Sequence, residues 1–579
     1  MEVNKLLNGK FSFKKLPDGS TDKTKVICAY CRCELSYHRS TSTLKYHLMA
    51  KHTADAKSPP PSCPNQVTID GFRQRHMDAA TKNKLIAAIA KWIATACRPV
   101  NIVEDEGLTE IIRIASNDWT YEAPSRATIT RRIEDLYETE KSKVQHALEQ
   151  TNEVALTGDY WTSLSNDNYL GVTAHYFDPQ WELHSHALTV MKTEERHFSD
   201  AVAEHFMKVA REWNIEHKVV SLTTDSARNM IAAARQLPFE HMPCIAHSVH
   251  RAVTVSLHNS PFDNALAKCR KVVGHFKHSP ANAVELEQQQ TAHHQKTESL
   301  TQDVSTRWNS TLEMIKRVQR NAEPLRDALA LHTTNVTMPT ATELEKMKKL
   351  EAALEQCRYI SELLGGEKYV SCSVVLPALC HLSRVMEVTE DDPSYMIKFK
   401  GTFTADLEAR KEKTNVTWLR VATALDPRFK DLKCLSKPDR VQVWDSVRAL
   451  LQEMEKEKPA QPDNQVTPEL ATKKPALLLA PESSSDEEED SIEKCLERYK
   501  AEPLIGIEDS PQEWWRTHEA SHSEIARLAR KYLATPATSV PSERLFSLSG
   551  HVVQKKRASL LSENVNRLVC LSNWLKEKK

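Results

Sequence analysis

Two short clusters near the amino terminus, Cys28-Ala-Tyr-Cys31 and His47-Leu-Met-Ala-Lys-His52, constrain this chain more than any other feature. Zinc takes four tetrahedral thiolate or imidazole ligands, and small modules supply them as a CxxC knuckle plus a histidine pair about one helical turn apart. Cys28, Cys31, His47 and His52 meet that pattern, with Cys33 and His38 close by as rival ligands. The knuckle ends a strand-like KVIC behind an Asp18-Gly19 turn, and the histidines lie on a helix that Ser42 or Thr43 is placed to cap. Bound zinc then contributes on the order of 10 kcal/mol to a segment with few core residues of its own. Residues 1–57 carry eleven Lys and Arg against five Asp and Glu. Thr43, Lys45 and Tyr46 at the helix start are expected to face a groove of double-stranded DNA.

The rest of the sequence excludes several classes. Its 579 residues balance 78 basic against 78 acidic side chains, which argues against a protein that coats nucleic acid nonspecifically. No run of about 18 apolar residues predicts a membrane span, and MEVNKLLNGKFSF lacks the apolar stretch of a secretory signal. An intracellular, nuclear protein with no membrane partner is expected. Thirteen cysteines at irregular spacing, with one CxxC pair, do not form a disulfide framework.

The expected fold class is α/β, mainly α overall. The finger spans 1–57 and a Pro-rich linker, 58–66, follows in KSPPPSCP. A helical DNA-binding or dimerisation domain covers 67–150, carried by LIAAIAKWIATAC and by the long run behind Pro124-Ser125. From Glu153 the apolar period changes: VALTGDYWTS, YLGVTAHYF and ELHSHALTVM read as three strands separated by turn residues, then a helix, the strand VVSLTTD and another helix. This βββαβα order occupies 151–260. A helical stretch, 261–457, an acidic disordered loop, 458–500, and a helical end, 501–579, complete the chain.

Strand cleavage by two metal ions requires carboxylates converging from separate elements. Asp159 and Asp225 follow strands that can share one sheet edge; from spacing alone the plainer reading is a turn residue for Asp159 and, for Asp225, the N-cap of a helix beginning at Ser226. The order of the surrounding blocks adds to this. GDYWTS, TTDSARNM, MPCIAHSVH, STRWNS, LDPRFK, the Trp514-Trp515 pair and TPATSVPSERLFSLSG run in the order of similar blocks in hAT-superfamily transposases. The amino-terminal module, with Phe11, Phe13 and TSTLKYHLMAKH, resembles a BED-type zinc finger, a DNA-binding family, with Phe11 where tryptophan is common.

The resemblance implies a ribonuclease-H-like core interrupted by a large helical insertion, and a carboxyl-terminal dimerisation region. It maps an acidic triad onto Asp159, Asp225 and Glu543, holding Mg²⁺ or Mn²⁺ for DNA strand cleavage and transfer. It gives Trp308 a base-stacking role, with core packing as the alternative, and places the Cys244/His247 CxxH beside the active site, where packing is the plainer role. Arg307 and Arg544 are open between phosphate contact and ion pairing. Leu561, Val565, Leu568 and Leu575 lie on one apolar helical face, read as the dimerisation surface or as packing on the chain's own domain. Three functions follow: a DNA transposase or domesticated descendant acting as a dimer or larger assembly, a non-catalytic nuclear regulator, and a SUMO ligase. Leu477 to Leu479, beside Ser483 to Ser485 and the acidic block, offer a strand-like contact for SUMO pathway proteins.

Overall fold

The computed structural model describes residues 5–7, 9–52, 76–163, 166–194, 198–304, 307–456, 486–552 and 561–576. The 58–66 linker and the Leu477–Ser485 region lie outside them. The chain forms two compact units, residues 1–76 with 114–120, and the remainder.

In the first unit β1 (Lys5–Leu6), β2 (Phe11–Lys15), β3 (Thr21–Cys28) and β4 (Glu34–Ser36) form an antiparallel sheet in that order, followed by the helix Ser42–Lys51. Gly19, at φ +83°, makes the turn between β2 and β3 in a backbone region that side chains disfavour. Phe11, Val26, Cys28 and Leu44 are its buried core. The capping expectation needs correction: Thr41 precedes the helix, and no side chain caps it.

The second unit is built on β5 (Val154–Thr162), β6 (Asn168–Phe177), β7 (Leu183–Thr193), β8 (Val219–Thr224) and β9 (Glu240–Pro243), ordered β7-β6-β5-β8-β9. The first three form the expected antiparallel meander, and β5, β8 and β9 run parallel. Strand β9 escaped the sequence reading because Glu-His-Met-Pro carries neither alternation nor β-branched residues.

Helices Ala79–Thr95, Arg126–Glu149 and Ser562–Lys576 pack against one another and share a core with this sheet. Ser125 starts the second, its side chain accepting the Thr128 N–H. The carboxyl-terminal helix covers β7: Asn573 Oδ1 accepts the Ala187 N–H and Asn566 Oδ1 the Val190 N–H, both at 2.8 Å. Trp574 Nε1 donates to the Ala187 carbonyl at 2.9 Å. Side chains thus satisfy backbone groups that an edge strand would otherwise leave open.

Between Ile245 and Leu533 the described residues are mainly helical, around a second large core. Two of the sequence blocks serve as its fasteners. Asp426, wholly buried, pairs with Arg428 at 2.7 Å and accepts the Ser373 hydroxyl, while Lys430 donates to the carbonyls of Tyr499 and Glu502. Trp515 donates to the Leu425 carbonyl and stacks on Trp181. Disorder across 458–500 is corrected at its end, since Asp486–Ala501 is a helix whose Ile492, Leu496 and Tyr499 enter this core.

Candidate active site and metal centres

The finger's four donors converge: one ligand atom each from Cys28, Cys31, His47 and His52 lies within 4.8 Å of all the others. Cys31 Sγ is 3.2 Å from His47 Nε2 and Cys28 Sγ 3.6 Å from His52 Nε2. Zinc–sulfur and zinc–nitrogen bonds of about 2.3 and 2.0 Å at a tetrahedral angle give an edge of about 3.5 Å, so the donor set fits zinc. Burial holds the His47 imidazole below its ordinary pKa, in the neutral form that binds a metal. Cys33 and His38, the rivals, are exposed and outside the cluster. Thr43, Lys45 and Tyr46 are exposed on the helix, Tyr46 by 73%.

In the second unit the strand register places the first two carboxylates. Thr157 of β5 is paired with Thr223 of the parallel β8. Two residues further on, each strand leads to an aspartate: Asp159, where β5 has passed the end of its pairing with β8, and Asp225, just past the end of β8, on the carboxyl-end side where open sheets bind their ligands. The Asp159 carboxylate accepts the Tyr160 N–H at 2.8 Å, and that of Asp225 the Ala227 N–H at 3.2 Å. Asp225 is therefore not the helix N-cap: the helix spans Arg228–Ala234, and Ala227 precedes it.

Glu543 comes from the first turn of the helix Val540–Val552, which packs on β5 and β6. A hydroxyl chain holds it there. Ser542 Oγ lies 2.5 Å from Thr157 Oγ1, which is 2.5 Å from Thr173 Oγ1, itself 2.7 Å from His175 Nε2. The preceding segment is tied to the strand ends: Thr535 Oγ1 meets Ser221 Oγ, the Pro536 carbonyl accepts Thr223 Oγ1–H, and the Ala537 carbonyl accepts the Ile245 N–H. Two glycines permit close packing on the sheet. A Cβ at Gly158 would lie 2.3 Å from the Phe206 ring, and one at Gly171, opposite Asp159, 2.9 Å from Phe546.

Burial, then the negative charges of Asp225 and Glu543, raise Asp159 to about 7, against smaller opposing effects of His247 and the Tyr160 N–H. Carboxylates forced together in this way are a site for a divalent cation, which cancels the repulsion. Asp159, Asp225 and Glu543 offer oxygen donors of the kind Mg²⁺ or Mn²⁺ takes, but among the described residues they do not form a cluster with every donor atom within 4.8 Å of the others. His247, read from sequence mainly as packing, has Nδ1 3.8 Å from Glu543 Oε1. Contact with the Cys244 thiol, opposed by burial and assisted by Glu543 and Asp159, raises it to about 10. The signal was present as CxxH; what sequence lacked was the short strand β9 that delivers it to this edge.

The other predicted residues divide. Trp308 is 5% exposed in the helical core, with one edge on a cavity of about 500 Å³ lined also by Arg251, His258, Arg270 and Thr311. Arg544 pairs with Glu367 and donates to the Gly365 carbonyl. Arg307 is exposed at the start of the helix Trp308–Arg320. Val565, Leu568 and Leu575, read as a dimerisation face, are buried in the chain's own core, whereas Leu561 is 70% exposed.

Comparison with known families agrees with this architecture. Residues 12–53 match the BED zinc finger, 157–244 the ZBED1 RNase-like domain, 242–353 the ZBED1 RNase-like helical domain, and 495–575 the hAT family C-terminal dimerisation region. A Zea mays protein named "Putative AC transposase" is 26% identical over 95% of this chain and 72% of its own length. The human zinc finger BED domain-containing protein 4 is 21% identical over 95% of this chain and 50% of its own. A Talaromyces stipitatus protein named "Putative transcriptional regulator tpeD" is 21% identical over 96% and 69%. The chain is mostly helical, with an RNase-like domain and its helical companion between a BED finger and a hAT dimerisation region.

Proposed function

We propose that this chain, which joins a BED zinc finger to an RNase-like domain and a hAT dimerisation region, is a self-associating nuclear protein that binds duplex DNA and cleaves and transfers its strands. In this reading zinc on Cys28, Cys31, His47 and His52 folds the finger. Its helix presents Thr43, Lys45 and Tyr46 to the DNA. Asp159, Asp225 and Glu543 are the catalytic residues. Divalent cations bound there would polarise the scissile phosphate and activate the attacking water or 3′-hydroxyl. The chain's own contribution is positional: parallel strands fix the two aspartates, and the Thr157–Ser542 contact fixes the helix turn that carries Glu543. The observation that supports the proposal is the register that sets Asp159 and Asp225 on adjacent parallel strands, with the Glu543 helix packed on β5 and both charges adding to the burial that raises Asp159.

The test is a nicking and strand-transfer assay with Mn²⁺ on the DNA flanking the coding region. Cleavage by the wild type, lost in Asp159→Asn, supports the proposal. Duplex binding without nicking would leave the second reading, a DNA-binding regulator, which the name of the Talaromyces relative favours. Self-association rests on the matched dimerisation region and uses a surface other than Val565, Leu568 and Leu575, which are already covered.

A further inference from the structure

We propose that Cys244, His247 and Glu543 form a second zinc-class metal site, separate from the finger, that takes Glu543 away from the acidic triad when it is filled. One donor atom from each of the three lies within 4.8 Å of the others. The donors come from two distant parts of the chain. Cys244 follows β9 and immediately precedes the helix Ile245–Leu257, His247 is in that helix's first turn, and Glu543 comes from the helix Val540–Val552.

Three observations distinguish this cluster from a chance meeting of polar groups. The Cys244 sulfur is wholly buried and accepts the Ser539 N–H at 3.3 Å. His247 Nδ1 is buried without a hydrogen-bond partner and lies 3.8 Å from Glu543 Oε1. A buried polar atom with no hydrogen bond costs about 1–3 kcal/mol and is a sign of an ion or water. Finally, thiolate and imidazole select zinc over magnesium, while three protein ligands leave a fourth position for water.

The consequence is competition between metals. The acidic triad is a hard, all-oxygen set suited to Mg²⁺ or Mn²⁺, and the neighbouring set is mixed thiolate, imidazole and carboxylate. Glu543 belongs to both, so zinc at the second lowers the affinity of the first. The competition rests on the reading of the triad as a metal site, whereas the zinc-class site itself does not.

The experiment uses the full chain with Cys28→Ser and Cys31→Ser, which remove the finger's thiolates, titrated with Co²⁺ and followed by absorbance. One Co²⁺ per chain with a near-ultraviolet thiolate charge-transfer band is expected, bleached by Zn²⁺. Cys244→Ser abolishes the band, and Glu543→Gln, at a partly exposed position, weakens binding roughly tenfold. No band, or a band that survives Cys244→Ser, overturns the site, and circular dichroism of the Glu543→Gln chain separates lost ligation from lost fold. In a second arm the paramagnetic resonance of bound Mn²⁺ is followed as Zn²⁺ is added. Release of Mn²⁺ in proportion to zinc supports the competition, and unchanged Mn²⁺ binding overturns it. Failure of Mn²⁺ to bind at all, with the Co²⁺ band intact, rejects the triad reading and the competition but leaves the site.

Discussion

The finger gathers its metal ligands, and the proposed acidic triad its carboxylates, by opposite means. In the finger the donors sit 3.2 and 3.6 Å apart in a module whose buried core is Phe11, Val26, Cys28 and Leu44. One of those four is itself a ligand. In the second unit the carboxylates are held by strand register and a hydroxyl chain, on a sheet buried by helices. The finger's geometry therefore depends on its ion, and the triad's does not. The scaffold buries Asp159 and sets it near two other carboxylates, and burial first, then the charges of Asp225 and Glu543, raise it to about 7.

The largest effect should come from the finger. Chelation, or Cys31→Ser, removes about 10 kcal/mol of metal binding from a unit with little else to fold it. Hydrogen exchange should show residues 9–52 losing protection while the sheet β5–β9 keeps its own, and duplex affinity should collapse. Retained protection in the zinc-free finger would break the contrast.

Asp159→Asn is next. Strand cleavage should fall on the order of 10³-fold, as when an electrostatic transition-state contact is removed. Stability should move the other way. The Asp159 pKa is raised on folding from 3.8 to about 7, so the folded state binds the extra proton and loses stability as pH rises between those values. In buffer without divalent cations the variant should melt above the wild type at pH 8 and match it near pH 3. Mg²⁺ should raise the wild-type melting temperature at pH 8 and leave that of the variant nearly unchanged. A variant that melts lower at pH 8 would show that the triad is not under electrostatic strain.

How much of this was legible follows from the same contrast. The finger's ligands could be read because the whole constellation is local, within residues 28–52. The meander could be read because each strand alternates or is β-branched, and the helix Arg126–Glu149 because Ser125 and its apolar spacing announce it. Convergence of Asp159 with Asp225 was readable only as a possibility of topology, since the Thr157–Thr223 register is a tertiary fact. The proposed role of Glu543 rests on resemblance, because nothing local distinguishes a glutamate in a helix's first turn. The apolar face of Ser562–Lys576 was visible, but what it covers was not: Asn566 and Asn573 show that its partner is β7.

The glycines test how closely the triad's scaffold is packed. Gly158→Ala puts a methyl 2.3 Å from Phe206, a ring 1% exposed in the core. Relief requires a shift of the helix Ser199–Glu212 or of β5, and overpacking of this kind costs about 1–3 kcal/mol. Denaturant unfolding should show that loss, with a larger loss of cleavage as Asp159 moves with its strand. A neutral substitution would mean that the sheet can yield without disturbing the site.

The smallest expected effect is the most specific. Ser542→Ala removes the hydroxyl that meets Thr157 in the chain Ser542–Thr157–Thr173–His175, whose imidazole burial holds at about 3 and therefore neutral. Thr157 keeps Thr173 as a partner, so the stability loss should be about 1 kcal/mol, that of one neutral hydrogen bond. Glu543 is the next residue, and loosening its helix turn should raise the Mg²⁺ concentration needed for half-maximal cleavage several-fold while the rate at saturating Mg²⁺ stays near that of the wild type. That split belongs to a site assembled by its scaffold, because an excess of cation can recover the geometry that the hydroxyl had supplied. If the saturated rate fell and the Mg²⁺ requirement did not, the hydroxyl chain would be acting on the reaction rather than on the placement of Glu543, and the triad would not be the scaffold-built counterpart of the finger.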